Sequence, residues 1–220
     1  MALVAGFIDV VGYVALFGLF TAHVTGNFVL IGATLVEHSH GILTKLLALP
    51  MFVAIVAAVR LLVLLYERRR RPVLSVLLAF EVLFLLLFMA AGLMAVPLDT
   101  PDSPLSMLAG LMGVAAMGIQ NAQSRLAPAG QVPTTIMTGN TTQAVIDIVD
   151  LLARNPQTET AARQRLHKMV PAIVSFAFGA ISGALAYTLL SFWCLLFPIV
   201  LLIVVRLFFL TQMEPPLKAA

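Results

Sequence analysis

Apolar residues fill this chain in long runs separated by short polar stretches. Six runs reach the ~20 helical residues needed to cross ~30 Å of hydrocarbon. They lie near 2–20, 46–66, 73–96, 104–126, 169–191 and 192–210. The last two nearly merge. Tyr187, Ser191, Trp193 and Pro198 are the turn and interface signals there, since Trp and Tyr favour the headgroup level. Two further segments, 21–36 and 131–153, are broken by Gly or Pro and carry more polar residues. A helix from Gly26 to about Val36 would be about 16 Å long, half the hydrocarbon thickness. Pro133 argues against a straight helix through 131–140. The pattern predicts an all-α polytopic membrane helix bundle, one integral membrane domain over 1–220.

Composition supports this class. Hydrophobic residues make up 61% of the chain and charged residues 10%, against ~45–50% and ~25% in soluble domains. With a mean hydropathy of +1.04, a soluble fold of this size has too few charges to cover its apolar side chains. A bilayer covers them. The net charge of +3 does not point to nucleic acid, because the basic residues cluster in Arg68–Arg71 and between Arg154 and Lys168, as cytoplasmic loops do. Cys194 is alone and permits no internal disulfide. No basic region or cleavage site precedes the first run, so no removable signal peptide is expected.

A short phrase occurs twice. Thr25-Gly26-Asn27 follows Gly6 and Asp9; Thr138-Gly139-Asn140 follows Gly118 and Asn121 at nearly the same distance. Each is followed by a short helical segment and then by a Pro that opens another apolar run, Pro50 and Pro171. The chain therefore reads as two internal repeats, about 1–96 and about 104–210. Loop charges orient them. Loops 67–72 and 154–168 carry Arg or Lys and belong on the cytoplasmic side; loop 97–104 carries none. These constraints agree when 21–36 and 131–153 enter and leave on one side, which makes the repeats inverted. Eight full crossings are the alternative.

If both half-helices begin near the bilayer midplane, their N-termini offer unpaired N–H groups and partial positive charge to a common point. Thr25, Gly26, Asn27, Thr138, Gly139, Asn140, His23 and Asn121 would line a site for a small polar or anionic solute. The competing reading makes Gly a close-packing residue and Thr and Asn caps. Asp9 is a carboxylate inside a span, where charge costs roughly 2.5–3.5 kcal/mol on insertion scales. It is a candidate coupling group, unless it is wet at the interface or bonded to a helix end. Glu81, deep in the 73–96 run, is a second coupling candidate, or a partner for a buried polar group. Gln143, Asp147, Asp150 and Arg154 form a polar stripe that lines water or the surface. Arg125 and Arg206 read as snorkelling residues. Gly179 and Gly183 read as a packing pair. His38 and His40, one residue apart, could bind a metal, but no third partner is evident. No catalytic motif, metal site or cofactor is expected.

The phrases Gly6-Phe7-Ile8-Asp9, Thr25-Gly26-Asn27, Gly118-Ile119-Gln120-Asn121 and the run from Val132 to Asn140 resemble the YoaK family of bacterial membrane proteins over almost the whole chain. The resemblance implies a bacterial inner membrane location. It brings no substrate, because that family is a domain of unknown function. The residues themselves point to a small-solute transporter or channel. The alternatives are a structural or scaffold membrane protein and, more remotely, an intramembrane enzyme. The partners expected are the lipid bilayer, the solute and, for so small a chain, a homodimer mate.

Overall fold

Long apolar runs become helices in lipid because every backbone polar group must be satisfied within its own segment. The computed structural model describes residues 1–37, 41–98, 100–126, 132–153 and 159–213. Its elements are α1 (Ala2–Ala15), α2 (Gly26–Glu37), α3 (Ile42–Arg68), α4 (Leu74–Ala95), α5 (Pro104–Leu126), α6 (Met137–Leu152), α7 (Glu159–Leu190), a 3₁₀ turn (Ser191–Leu195) and α8 (Leu196–Met213). No strand occurs among the described residues, and the expected polytopic helix bundle is the fold.

Four boundaries differ from the hydropathy reading. The run 2–20 forms only the 14 residues of α1, about 21 Å. Helix α1 is stopped by left-handed backbone at Phe17 (φ 53°) and Gly18 (φ 80°), with the Gly18 N–H reaching back to the Tyr13 carbonyl. That is the wrap-around closure of a helix end, built here from apolar residues that carry no stop signal in hydropathy. The buried Lys45 ammonium holds the turn by donating to the Phe17 carbonyl at 2.9 Å. Second, Pro50 and Pro171 do not open runs; they sit inside α3 and α7. Membrane helices tolerate this because neighbours re-satisfy the freed carbonyls. Third, the described part of the expected loop 154–168 is the start of α7, since nothing from Glu159 to Pro171 breaks helical geometry. Fourth, the merged runs 169–191 and 192–210 are parted by the 3₁₀ turn, entered through Ser191 at φ 50°.

Residue contacts fix the helix directions. Helix α1 runs parallel to α7: a Cβ on Gly179 would meet Leu3, and one on Gly183 would meet Phe7. Helix α3 runs parallel to α5, with Thr44 against Gly110 and Ile55 against Gly118. Helices α1 and α5 are antiparallel, because Gln120 Nε2 donates to the Met1 carbonyl while Leu16 lies beside Gly110. Helix α4 opposes α5 through Glu81–Gln123 and Phe88–Gly113. It opposes α8 through Phe192 on Gly92 and the Arg206 Nε to Ser75 carbonyl bond at 3.0 Å. Hence α1, α4 and α7 point one way, and α3, α5 and α8 the other. Arg68–Arg71, Arg125, Arg163, Arg165 and Lys168 gather at one end of the bundle.

The two short helices follow from this frame. The chain leaves α1 at the end of the bundle away from the arginines and folds back to reach Asp9 with Thr21–His23. Helix α2 then returns it to the end where α3 starts. Thr134 and Thr135 fold back onto Gln120 and Asn121 of α5, and α6 returns toward the arginine-rich end, where Asp147 takes Arg165 of α7. Each short segment therefore enters and leaves on one side, and the two do so from opposite sides. Leu19, Leu85, Phe88, Met117 and Phe192 fill the core. Leu61, Leu83, Phe178, Leu189 and Val204 face outward, toward lipid.

Candidate functional site

Small residues let the backbones approach closely enough to hold the bent segments. A Cβ on Gly6 would land on the Phe176 carbonyl oxygen, and one on Gly118 would meet Ile55 at 3.0 Å. Gly179 and Gly183 are packing residues, as their spacing suggests.

Onto this platform each half folds a bend. Asp9 Oδ1 accepts from the backbone N–H groups of Thr21 (2.9 Å), Ala22 (2.7 Å) and His23 (3.3 Å). Asp9 Oδ2 sits 2.6 Å from His23 Nδ1. The carboxylate is 5% exposed, so amide donors take the place of water around it. Asn121, at the matching place on α5, accepts from the Thr135 hydroxyl. Its Nδ2 donates to the Met117 carbonyl at 3.1 Å and, across the bundle, to the Ala22 carbonyl at 3.4 Å. Ala22 is thus held at its N–H by Asp9 and at its C=O by Asn121.

The two Thr-Gly-Asn phrases divide their labour alike. Asn27 Nδ2 donates to the Phe20 carbonyl at 2.9 Å, and its Oδ1 accepts from the Phe20 N–H at 2.9 Å. Asn140 Nδ2 donates to the Pro133 carbonyl at 2.8 Å. Both span seven residues, both are buried, and both tie the bend to the helix that follows. Thr25 and Thr138 are exposed instead, and both line one cavity.

That cavity is about 700 Å³. His23 and Thr25, just before α2, border it on one side. Thr135 and Thr138, at the start of α6, border it on the other, with Asn121 between. Arg60 and Arg125 complete its polar wall toward the arginine-rich end. A second cavity of about 510 Å³ is lined by Asp9, Tyr13, Phe20, Gly26 and Phe176 and shares His23 and Thr25 with the first. The His23 ring stands edge-on to both Phe20 and Phe176.

The expected site residues therefore separate. His23, Thr25, Asn121 and Thr138 line the main cavity. Gly26 and Asp9 line the second. Asn27 and Asn140 are used within the bends, and Gly139 packs toward Ile136. Glu81 is fully buried between α4 and α5; its Oε2 accepts from Gln123 at 3.2 Å, while its Oε1 and Gln120 Oε1 meet no donor among the described residues. The helix starts also differ. The N–H groups of Gly26, Asn27 and Phe28 are tied to carbonyls three residues back, whereas those of Met137, Thr138 and Gly139 have no backbone partner among the described residues. Among the described residues, N–H groups without a backbone partner thus mark the second helix start and not the first. Of the polar stripe, Asp147 is fully buried and holds Gln143 and Arg165. Arg154, His38 and His40 lie outside the described residues.

Sequence reasoning missed Arg60. It is a lone cation inside the 46–66 run, a position that costs insertion energy and so calls for a reason. Thr135 lies in the run from Val132 to Asn140, but nothing in the sequence marked it as lining a cavity.

Residues 1–208 match the family described as "Protein of unknown function (DUF1275)". The chain is 29% identical over 204 residues to the transmembrane protein YoaK of Bacillus subtilis (strain 168), a match covering 92% of this chain and 88% of that one. No solved structure matches.

Proposed function

The chain belongs to the DUF1275 family of membrane proteins, and we propose that it is a transporter or channel for a small polar or anionic solute. One observation carries the reading: both bent segments, entering the bundle from opposite ends, border the same 700 Å³ cavity. Broken helices meeting at a cavity inside a bundle of oppositely directed halves are how secondary transporters build midplane sites. The halves are 1–96 and 104–210, an inverted pair in which α1, α2, α3 and α4 correspond to α5, α6, α7 and α8. Helices that correspond and lie in the frame run in opposite directions. The Arg-bearing segments 67–72 and 154–168 are cytoplasmic on the charge rule, and the membrane is the bacterial inner membrane. The cavity then opens to the cytoplasm. Solute rests against Thr25, Thr138 and His23, with no chemical conversion. Asp9 serves coupling through His23.

A scaffold reading draws on a different observation: Asn27, Asn140, Asp9 and Asn121 are all spent on holding bends. Swelling of proteoliposomes in glycerol, formate and phosphate separates the two. Transport predicts swelling above protein-free vesicles for at least one probe, cut about fivefold or more by Thr25→Val with Thr138→Val, a loss of about 1 kcal/mol. Swelling equal to empty vesicles with every probe favours the scaffold.

A further inference from the structure

Two arginines, Arg60 and Arg125, line the main cavity. Helices α3 and α5 run parallel with Ile55 against Gly118. Five residues on from Ile55 is Arg60, and seven on from Gly118 is Arg125, so the register brings both to nearly the same depth. Arg125 makes no hydrogen bond or ion pair among the described residues. Arg60 has one partner, Glu67, at 3.5 Å, with both side chains about half exposed. Such a pair is worth little and exchanges easily for a better acceptor. Among the described residues no carboxylate lines this cavity; Asp9 lies behind His23 and is already bonded. Thr25, Met137 and Thr138 line the same space; among the described residues the two hydroxyls make no hydrogen bond and the first N–H groups of α6 have no backbone partner. In a chain with only 10% charged residues, two like charges on one apolar-walled cavity create a positive potential that favours an anion.

We propose that Arg60 and Arg125 form an oxyanion site that takes a phosphate or carboxylate group. This deepens the transport reading by naming the solute class, and it rests on that reading for the route the anion follows. The guanidinium fork fits two oxygens of such a group, which halide or polyol cannot match. The Thr138 hydroxyl completes the contact at the inner end of the cavity. Glu67 holds Arg60 while the site is empty. The same chemistry is offered by a free anion and by a lipid headgroup phosphate, and the test has an arm for each.

The full chain, in neutral detergent, is titrated with inorganic phosphate, succinate and glycerol, following thermal unfolding and calorimetric heat. Phosphate or succinate raises Tm, and glycerol does not. Arg125→Gln and Arg60→Gln each weaken binding about tenfold, and Arg125→Lys restores part of it. Thr138→Val, which removes no charge, weakens it less and guards against a folding defect in the Arg variants. In a second arm, native mass spectrometry of protein from phosphatidylcholine discs with phosphatidylglycerol scores retained lipid. Phosphatidylglycerol retained by the native chain and lost in the double Gln variant, without any phosphate or succinate response, assigns the site to a headgroup. No response in either arm, or a response unchanged in the double variant, overturns the proposal. Failure of the transport reading looks different: oxyanion binding lost in the variants with no flux in vesicles keeps this site and removes transport. Glycerol flux insensitive to both arginines does the reverse.

Discussion

Asp9 and Asn121, on antiparallel helices from the two halves of the chain, grip opposite ends of the same residue. Asp9 accepts the Ala22 N–H at 2.7 Å, and Asn121 donates to the Ala22 carbonyl at 3.4 Å. The first bend is therefore anchored in both halves. Neither half can shift by a few ångströms without breaking one of these bonds.

Asp9→Ala leaves three N–H groups without their acceptor in a buried site, at about 1–3 kcal/mol each. A loss of about 3 kcal/mol or more is expected, seen as a large fall in Tm or in monodisperse yield. Asp9→Asn keeps Oδ1 as acceptor for the three amides and loses the charge and the Oδ2 acceptor facing His23 Nδ1, so it should fold with a loss near half as large. Equal losses for the two variants would show that the amide contacts contribute nothing.

Asn27 makes two bonds to Phe20, and Asn140 makes one to Pro133. Asn27→Ala should cost about 1–3 kcal/mol and Asn140→Ala about 1. Thermal unfolding in detergent gives the order. The reverse order, or no loss from Asn27→Ala, contradicts the bracing role.

Gly6→Ala drives a methyl into the backbone of Phe176, whereas Gly118→Ala meets the movable side chain of Ile55. Gly32 has open space around it. The expected ranking of damage is Gly6→Ala, then Gly118→Ala, with Gly32→Ala neutral or stabilising by up to about 1 kcal/mol through helix propensity. Melting curves of the three single variants check it.

Arg165→Gln leaves the buried Asp147 carboxylate with Gln143 as its remaining partner. Because Arg165 is 40% exposed, solvent screens the pair and the loss of stability is smaller than for a fully enclosed pair. It should appear as faster proteolysis of α6. Asp147→Asn added to Arg165→Gln should recover most of it; no recovery would mean the pair's charge is irrelevant.

Single cysteines at Arg69 and Gln164, in a Cys194→Ser background, should react from one side of the membrane, and Thr100→Cys from the other. Opposite reactivity of the first two would mean that the α6 segment crosses fully and would remove the re-entrant geometry.

The spans 73–96 and 104–126 were legible almost to the residue, because uninterrupted apolar length alone defines them. The end of α1 was not, since Phe17 and Gly18 stop the helix by backbone geometry and by a lysine 28 positions away. Pro50 and Pro171 misled for the converse reason: a break signal in isolation is overruled by packing. The repeated phrase led to the two bends that border the cavity, but the sequence could not tell which of its side chains turn inward. Thr25 and Thr138 face open space while both asparagines fold back, a distinction made only by the bend. Arg60 could have been flagged as a charge amid an oily stretch. Its convergence with Arg125 needed the parallel register of α3 and α5.

The first amides of α2 are knotted to their own bend, while those of α6 have no backbone partner among the described residues, although the two helices hold matching stations. On the proposed transport reading, a chain that traded these roles would keep every helix and offer its free amides from the other end of the bundle.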